Sequence, residues 1–175
     1  MTASPVLKTA LIAVFALGLA GCAADTPPAG QPTFYRSLAG TGEELDAGAA
    51  ASMISGYRQN NALGAVVLDP TLMRLADEQA HAMAARDKLD HDVKGDFAKR
   101  MKGSGYDPKL AVENVSAGYH TLAEAFSGWR DSPPHRANML KNGVTQMGIA
   151  AVYTPSSKYK VFWALIMAAP ADTKG

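Results

Sequence analysis

The sequence predicts an α+β domain, a three-layer α-β-α sandwich with a mainly antiparallel central sheet. Within the predicted strand 160–169, residues 161–167 are apolar at every position, which is typical of a strand covered on both faces. A second strand-like segment, 144–153, is joined to it by the turn-rich residues 154–157. Helical patterns occupy the chain before these strands, and helices packed on both sides would bury the sheet.

The first two helices are predicted from apolar spacing and capping residues. Residues 46–60 have apolar or small side chains at the spacing of one helix face. Asp69 and Pro70 then form an N-cap followed by proline at the first helical position, where its missing N–H costs nothing. The helix that follows places His81 opposite its apolar face, so His81 is predicted to lie on the surface.

A third, shorter helix and a short extended segment are predicted in the middle of the domain. Phe97 and Met101 form an apolar i, i+4 pair, and the helix that carries them ends at the glycine-rich residues 103–105. Residues 111–115 are predicted to be briefly extended.

A fourth helix is predicted from a capping box. Thr121 is followed three positions later by Glu124, the pattern in which both side chains bond to the first backbone N–H groups of a helix. Prolines at 133 and 134 are predicted to end it.

The charge balance argues against a nucleic-acid partner. The chain carries 17 Lys and Arg against 16 Asp and Glu, a net charge of +1. Lys8 lies in the predicted signal peptide, so the mature chain has no basic excess to hold a phosphate backbone. We expect no nucleic-acid binding.

Residues 1–21 have the pattern of a bacterial lipoprotein signal peptide. Lys8 supplies a positive charge, and the apolar run 11–20 is too short to span a bilayer. The run ends in Leu-Ala-Gly-Cys, which resembles a lipobox, so Cys22 is predicted to carry acyl chains such as palmitate and to anchor the protein to a membrane. An ordinary cleaved signal peptide is the alternative. By the sorting rules of Gram-negative lipoproteins, Ala rather than Asp at position 23 favours the outer membrane.

The predicted organisation is a signal peptide at 1–21, a lipid-anchored tether at 22–45, a folded domain at 46–170 and a tail at 171–175. The tether is predicted because residues 23–41 are rich in Pro, Gly, Ala and Thr and offer little apolar area to bury. Cys22 is the only cysteine, so no intramolecular disulfide can form. We expect a monomer in the cell envelope.

Three titratable residues do not fit an apolar stripe and lie at predicted non-helical junctions: His91, Glu113 and His135. Two imidazoles and one carboxylate can bind a divalent metal such as zinc, or transfer a proton. Because the three residues are far apart in the sequence, spacing alone does not show that they converge. Three such residues taken by themselves are separate surface groups more often than they form a site.

A series of short motifs runs in order along the chain: Ala80-His81-Ala82-Met83, Leu89-Asp90-His91, Gly105-Tyr106, Glu113-Asn114-Val115-Ser116-Ala117-Gly118, Trp129-Arg130-Asp131-Ser132-Pro133-Pro134-His135-Arg136-Ala137-Asn138-Met139-Leu140 and Gly148-Ile149-Ala150. The ordered set resembles the CAP superfamily, which includes cysteine-rich secretory proteins, antigen 5 and plant pathogenesis-related proteins, and the resemblance covers about residues 49–168. The resemblance implies the α-β-α sandwich and a cleft to which His91, Glu113 and His135 contribute. The family's second acidic residue is missing here, with Asp131 as the available substitute, and its cysteines are absent.

Three residues beside these motifs are predicted to support the structure. Asn114 can satisfy backbone groups of a nearby loop, and Arg136 can pair with a carboxylate. Trp129 is predicted to form part of the core or the cleft wall.

Three functions stay open. The first is a binding module whose cleft holds a lipid, an envelope polymer or a protein partner. The second is a metal-dependent hydrolase in which His91, Glu113 and His135 hold zinc or another divalent cation. The third is a structural envelope protein without a ligand. Catalysis ranks last because no serine or cysteine lies in a nucleophile motif.

Overall fold

The computed structural model describes Met1 and residues 30–171. The chain divides into two units, Met1–Gly30 and Gln31–Gly175, and every element described below belongs to the second. Apart from Met1, the predicted signal peptide lies outside the described residues, as does Cys22. Among the described residues, no helix has the length and apolarity required to cross a bilayer.

The sheet contains the strands β1 (Val67–Leu68), β2 (Pro108–Ala117), β3 (Gln146–Tyr153) and β4 (Val161–Pro170). Their order is β1-β3-β4-β2, so β4 is an inner strand and β2 lies at an edge. β4 pairs antiparallel with both neighbours, and only β1 pairs parallel, with β3. The prediction for the last strand is confirmed, because every residue of β4 except Pro170 is buried. β2 is longer than the brief segment 111–115 that the sequence predicts.

Within the described residues, the α-helices are α1 (Ala47–Gln59), α2 (Pro70–Arg86), α3 (Phe97–Gly103), α4 (Leu122–Asp131) and α5 (Pro133–Met139). One face of the sheet packs against α1, α4 and α5, and the other against α2 and α3. Alternate side chains of β4 point to opposite faces of the sheet. Trp163 packs on the side of α1, α4 and α5, and Phe162 packs on the side of α2 and α3. This is the predicted three-layer α-β-α sandwich.

Side-chain caps begin α2 and α4 where the sequence predicts them. The Asp69 carboxylate accepts from the backbone N–H groups of Thr71 and Leu72. Thr121 accepts from the N–H of Glu124, whose carboxylate accepts in turn from the N–H of Thr121. Both predictions depend on contacts within a few residues.

α5 is absent from the sequence prediction. Proline does stop α4 after Asp131, but Pro133 also begins a new helix, because the first helical turn does not need the N–H that proline lacks. His135 therefore lies in a helix and not, as predicted, at a non-helical junction.

The segment before α1 packs against the domain instead of forming part of the predicted tether. Thr33–Tyr35 form a 3₁₀ turn, and the hydroxyl of Thr33 donates to the carboxylate of Asp46 at 2.9 Å. Leu38 is 5% exposed and belongs to the core, and its N–H donates to the carbonyl of His120. Part of the segment 31–45, which the sequence assigns to the tether, is thus packed against the domain. Composition does not predict this packing, because Leu38 and the other apolar residues of the segment that pack against the core follow no regular spacing.

Candidate functional site

The site is built around the edge strand β2. Side chains of a strand alternate between its faces, so residues 113 and 114 point to opposite layers of the sandwich. Val115 packs with α2 and α3, which places Glu113 on that side, whereas Val112 packs in the cluster of α1, α4 and α5, on the side of Asn114. Since none of the described strands covers this edge of the sheet, groups from both helical layers can meet here.

Both carboxylate oxygens of Glu113 are occupied. Its side chain is only 2% exposed, and Oε1 lies 2.8 Å from Nδ1 of His91 while Oε2 lies 2.7 Å from Nη2 of Arg100. The Arg100 side chain is itself 9% exposed. The carboxylate oxygen is the acceptor in this contact, so Nδ1 of His91 carries the proton and donates.

The loop that carries His91 is held by buried side chains. Gln79 is fully buried, and its amide donates to the carbonyls of Asp90 at 2.9 Å and His91 at 3.1 Å. Arg100 donates to the His91 carbonyl at 3.3 Å. These contacts fix the backbone, while the imidazole of His91 remains half-exposed.

α5 is attached to β2 through two asparagines. The amide of Asn114 donates to the carbonyl of His135 at 3.0 Å. The amide of Asn138 donates to Oδ1 of Asn114 at 2.9 Å and to the carbonyl of Glu113 at 3.0 Å. Asn138 thereby satisfies a backbone acceptor of the edge strand and holds His135 close to it.

The two imidazoles have opposite electrostatic environments. The hydrogen bond to Glu113 raises the pKa of His91 above its usual range, although burial and the charge of Arg100 oppose it. Burial lowers the pKa of His135, and the charge of His91 lowers it further. The sandwich therefore brings His91 and Glu113 into direct contact and His135 within electrostatic range of His91.

The remaining predicted residues take other positions. Trp129 is 1% exposed and its ring makes an edge contact with Trp163, at 6.3 Å between centroids. Arg136 is exposed on α5, and the guanidinium that pairs with a carboxylate in the site belongs to Arg100. His81 lies exposed on α2, as predicted.

Arg100 is a site residue that the sequence does not single out, as are Gln79 and Asn138. It stacks over the ring of Phe97, with 5.3 Å between Cζ and the ring centroid. In the sequence it is one of three basic residues on α3, and nothing distinguishes it from Lys99 or Lys102. Only the packing of α3 beside β2 does so.

The donor set does not fit the divalent metal that these residue types suggest in the sequence. A metal would need the lone pairs of Glu113, which already accept from Arg100 and His91, and the charge of Arg100 would repel a cation beside it. Nor, among the described residues, does any group of three His, Cys, Asp or Glu side chains come together so as to hold a metal ion. We therefore derive no chemistry through zinc.

We expect Glu113→Gln to lower the pKa of His91, because burial and Arg100 then act with less opposition. In the wild type, the folded pKa exceeds the unfolded value of about 6.5. The stabilising contribution of this pair is therefore complete below pH 6.5 and is lost as the pH rises through the folded pKa. An NMR titration of the imidazole Cε1–H measures the shift. Glu78→Gln, which removes an exposed partner of Arg74 and Lys94, should leave the His91 titration unchanged.

Comparison with known proteins agrees with this fold. The profile of the cysteine-rich secretory protein family, CAP, matches residues 51–167. The uncharacterised protein YkwD of Bacillus subtilis is 31% identical over 101 residues, 57% of this chain and 39% of that protein. This chain thus spans about two fifths of the length of that relative.

Two solved structures share the fold. One is an extracellular protein with an SCP domain from Bacillus anthracis, with a TM-score of 0.61, 21% identity and coverage of 69% of this chain and 39% of that one. The other is an outer surface protein of Borrelia burgdorferi, with a TM-score of 0.64, 18% identity and coverage of 73% of this chain and 98% of that one. With the family profile matching two thirds of the sequence, the chain belongs to the CAP, or cysteine-rich secretory protein, family.

Proposed function

We propose that this is a lipid-anchored envelope protein whose cleft beside β2 binds an anionic group of an envelope component. A lipid phosphate and a carboxylate on an envelope polymer share this chemistry. The observation that carries the proposal is the occupation of Glu113 by His91 and Arg100. The acid of the cleft is neutralised from inside the protein, so it has no charge left for a cationic ligand.

The group that the site beside β2 exposes to solvent is imidazole. The side chain of His91 is 51% exposed, and Nδ1 is already committed to Glu113, so Nε2 is the atom free to meet a ligand. When His91 is protonated, Nε2–H donates, and the positive charge adds to a Glu113–Arg100 pair that is neutral overall. His135, half-buried on α5, supplies a second ring. Two such rings at one edge favour an oxygen acceptor with negative charge.

The alternatives need different arrangements. A metal-dependent hydrolase would use Glu113 as a ligand or as a base, and either role requires an oxygen that Arg100 or His91 now holds. A purely structural role would leave both imidazoles without a ligand. Direct binding measurements separate this last case from a binding module.

The full chain with Cys22→Ser, titrated with short-chain dihexanoyl phosphatidylglycerol below its micelle concentration, should show shifts in the NMR signals of His91 and His135. His91→Gln should weaken this binding by about tenfold, the loss expected for one hydrogen bond to a charged group. Binding should also weaken as the pH rises through the raised pKa of His91, because Nε2 then loses its proton.

His81→Gln is the matched control, since it removes an exposed imidazole on α2 outside the cleft. Inorganic phosphate and acetate test whether the charge alone is recognised, and dihexanoyl phosphatidylcholine tests a headgroup without net charge. If no anionic probe perturbs either cleft histidine, the binding proposal is wrong and the structural role is favoured.

Anchoring is supported by the lipobox-like residues before Cys22 and by the nature of the relatives, one described as extracellular and one as an outer surface protein. Several acyl chains on one cysteine would hold the protein on a membrane, because each buried CH₂ contributes about 0.8 kcal/mol.

Cys22→Ser is expected to move the protein from the membrane fraction to the soluble envelope fraction of cells that express it. Mass spectrometry of the wild-type N-terminal peptide should show the added mass of acyl chains on Cys22. An unmodified Cys22 in a soluble wild-type protein would contradict the anchor.

A further inference from the structure

An apolar groove of about 580 Å³ opens between the 3₁₀ turn and α1. Its lining consists of Pro32, Thr33, Phe34, Ala49, Ser52 and Met53. Beside it, Tyr35 is 52% exposed, and its ring centroid lies 4.6 Å from that of Phe34. We call this surface, together with Tyr35, the aromatic groove.

The aromatic groove is a fixed feature of the domain. The Thr33 hydroxyl is bonded to Asp46, the N-cap of α1, and Leu38 on its other side is buried in the core. These contacts hold the segment that carries Phe34 and Tyr35 against α1 and so define the shape of the groove.

The position of the groove in the chain indicates what covers it. Pro32 follows Cys22 by only ten positions. Ten residues span at most about 36 Å even when fully extended. A domain anchored at Cys22 thus holds this surface permanently within reach of the bilayer.

The chemistry of the surface fits the boundary between headgroups and acyl chains. Tyrosine is enriched there because its ring is apolar and its hydroxyl is polar, and an adjacent exposed arginine can keep its charge in water. Arg36 follows Tyr35 and is exposed. Glu43 and Glu44 lie close by in the chain, so there is no local basic excess to seek anionic lipids. A contact of this surface with lipid would therefore be apolar.

We propose that the aromatic groove docks into the headgroup–acyl boundary of the bilayer that carries the Cys22 anchor. This inference rests on the anchor proposed above. Docking turns the layer of α1 and α4 towards the membrane and leaves α2 and α3 facing away from it. The length of chain after Cys22 then limits the distance between the domain and the bilayer, and the aromatic groove sets the orientation of the domain.

The test uses Tyr35→Trp in the full chain. The native Trp129 and Trp163 are buried to 1% and 0% exposure, so lipid quenchers cannot touch them. Because Cys22 is the only cysteine, its thiol can be coupled to a maleimide phospholipid in phosphatidylcholine vesicles with brominated acyl chains. The outcome is then independent of whether a cell acylates Cys22.

The emission added by Tyr35→Trp should be strongly quenched by brominated vesicles and unchanged in vesicles without bromine. Leu89→Trp is the matched control, because Leu89 is 44% exposed but lies in the loop after α2, and its added emission should persist. Adding Ser52→Glu, an exposed position of the groove, should relieve the quenching by placing a charge in the contact.

Equal emission from the Tyr35→Trp and Leu89→Trp proteins in brominated vesicles, with coupling verified, overturns the docking and leaves the anchor intact. The same result follows if a second copy covers the groove. The anchor proposal is tested separately, and mass spectrometry that finds Cys22 unmodified in cells would contradict it.

Discussion

Arg58→Met is expected to lower the free energy of unfolding by about 3–5 kcal/mol, among the largest effects of a single substitution. Arg58 is 1% exposed. Its guanidinium donates to four carbonyls, those of Gly64, Met139, Lys141 and Val144, at 2.8 to 3.1 Å. Methionine fills similar volume but leaves these acceptors without a donor, and unsatisfied buried groups are costly.

The guanidinium also caps the C-terminal end of α5. The carbonyls of Met139 and Lys141 lie at or just beyond its C-terminus, where a positive charge is favourable. Arg58→Lys retains the charge but lacks the planar guanidinium and its several N–H donors. An intermediate decrease in the free energy of unfolding is therefore expected. Arg86→Met removes an exposed arginine and should change stability by less than about 1 kcal/mol. Urea denaturation followed by circular dichroism measures all three. A loss below 1 kcal/mol for Arg58→Met would show that these hydrogen bonds contribute little.

Gly148→Ala is expected to destabilise the domain by about 3 kcal/mol or more, at or beyond the upper end of ordinary overpacking. A Cβ at this position of β3 would lie 2.0 Å from the carbonyl carbon of Leu72 and 2.3 Å from the backbone nitrogen of Met73. These are backbone atoms of α2, so no side-chain rotation can relieve the contact. The helix would have to move away from the sheet.

The matched control is Gly56→Ala in α1. Apart from its chain neighbours and the backbone of its own helix, no atom of the described residues lies within 4 Å of a Cβ added at Gly56, and its φ is not positive. Alanine is favoured over glycine in a helix, so this variant should gain about 0.5–1 kcal/mol. Thermal and urea unfolding should therefore shift in opposite directions for the two substitutions. A Gly148→Ala protein with wild-type stability would mean that α2 can withdraw from β3 at little cost.

Structural elements whose formation depends on neighbouring residues are well predicted from the sequence. The caps at Asp69 and Thr121 depend on contacts within three residues, and the burial of β4 follows from seven consecutive apolar side chains. α5 and the 3₁₀ turn are missed because proline-rich segments have no regular apolar period. Their order comes from contacts with distant parts of the chain.

The candidate site divides in the same way. Residue types and motif order point to His91, Glu113 and His135, and the structure places the first two in contact. Whether Glu113 is available to a metal cannot be predicted, because the answer depends on Arg100, a residue with no distinguishing pattern. The sequence prediction of a possible zinc site and the structure therefore lead to different chemistry.

The sequence by itself determined the helix caps, the buried inner strand and the family's ordered motifs, because each depends on neighbouring residues or on a simple period. Only the tertiary structure decided that Arg58 lies inside, that Gly148 admits no side chain and that Arg100 neutralises Glu113. In each case the deciding partner is a backbone or side-chain group on another element. A charged residue or a glycine is written the same way in the sequence whether it faces water or packs against a helix.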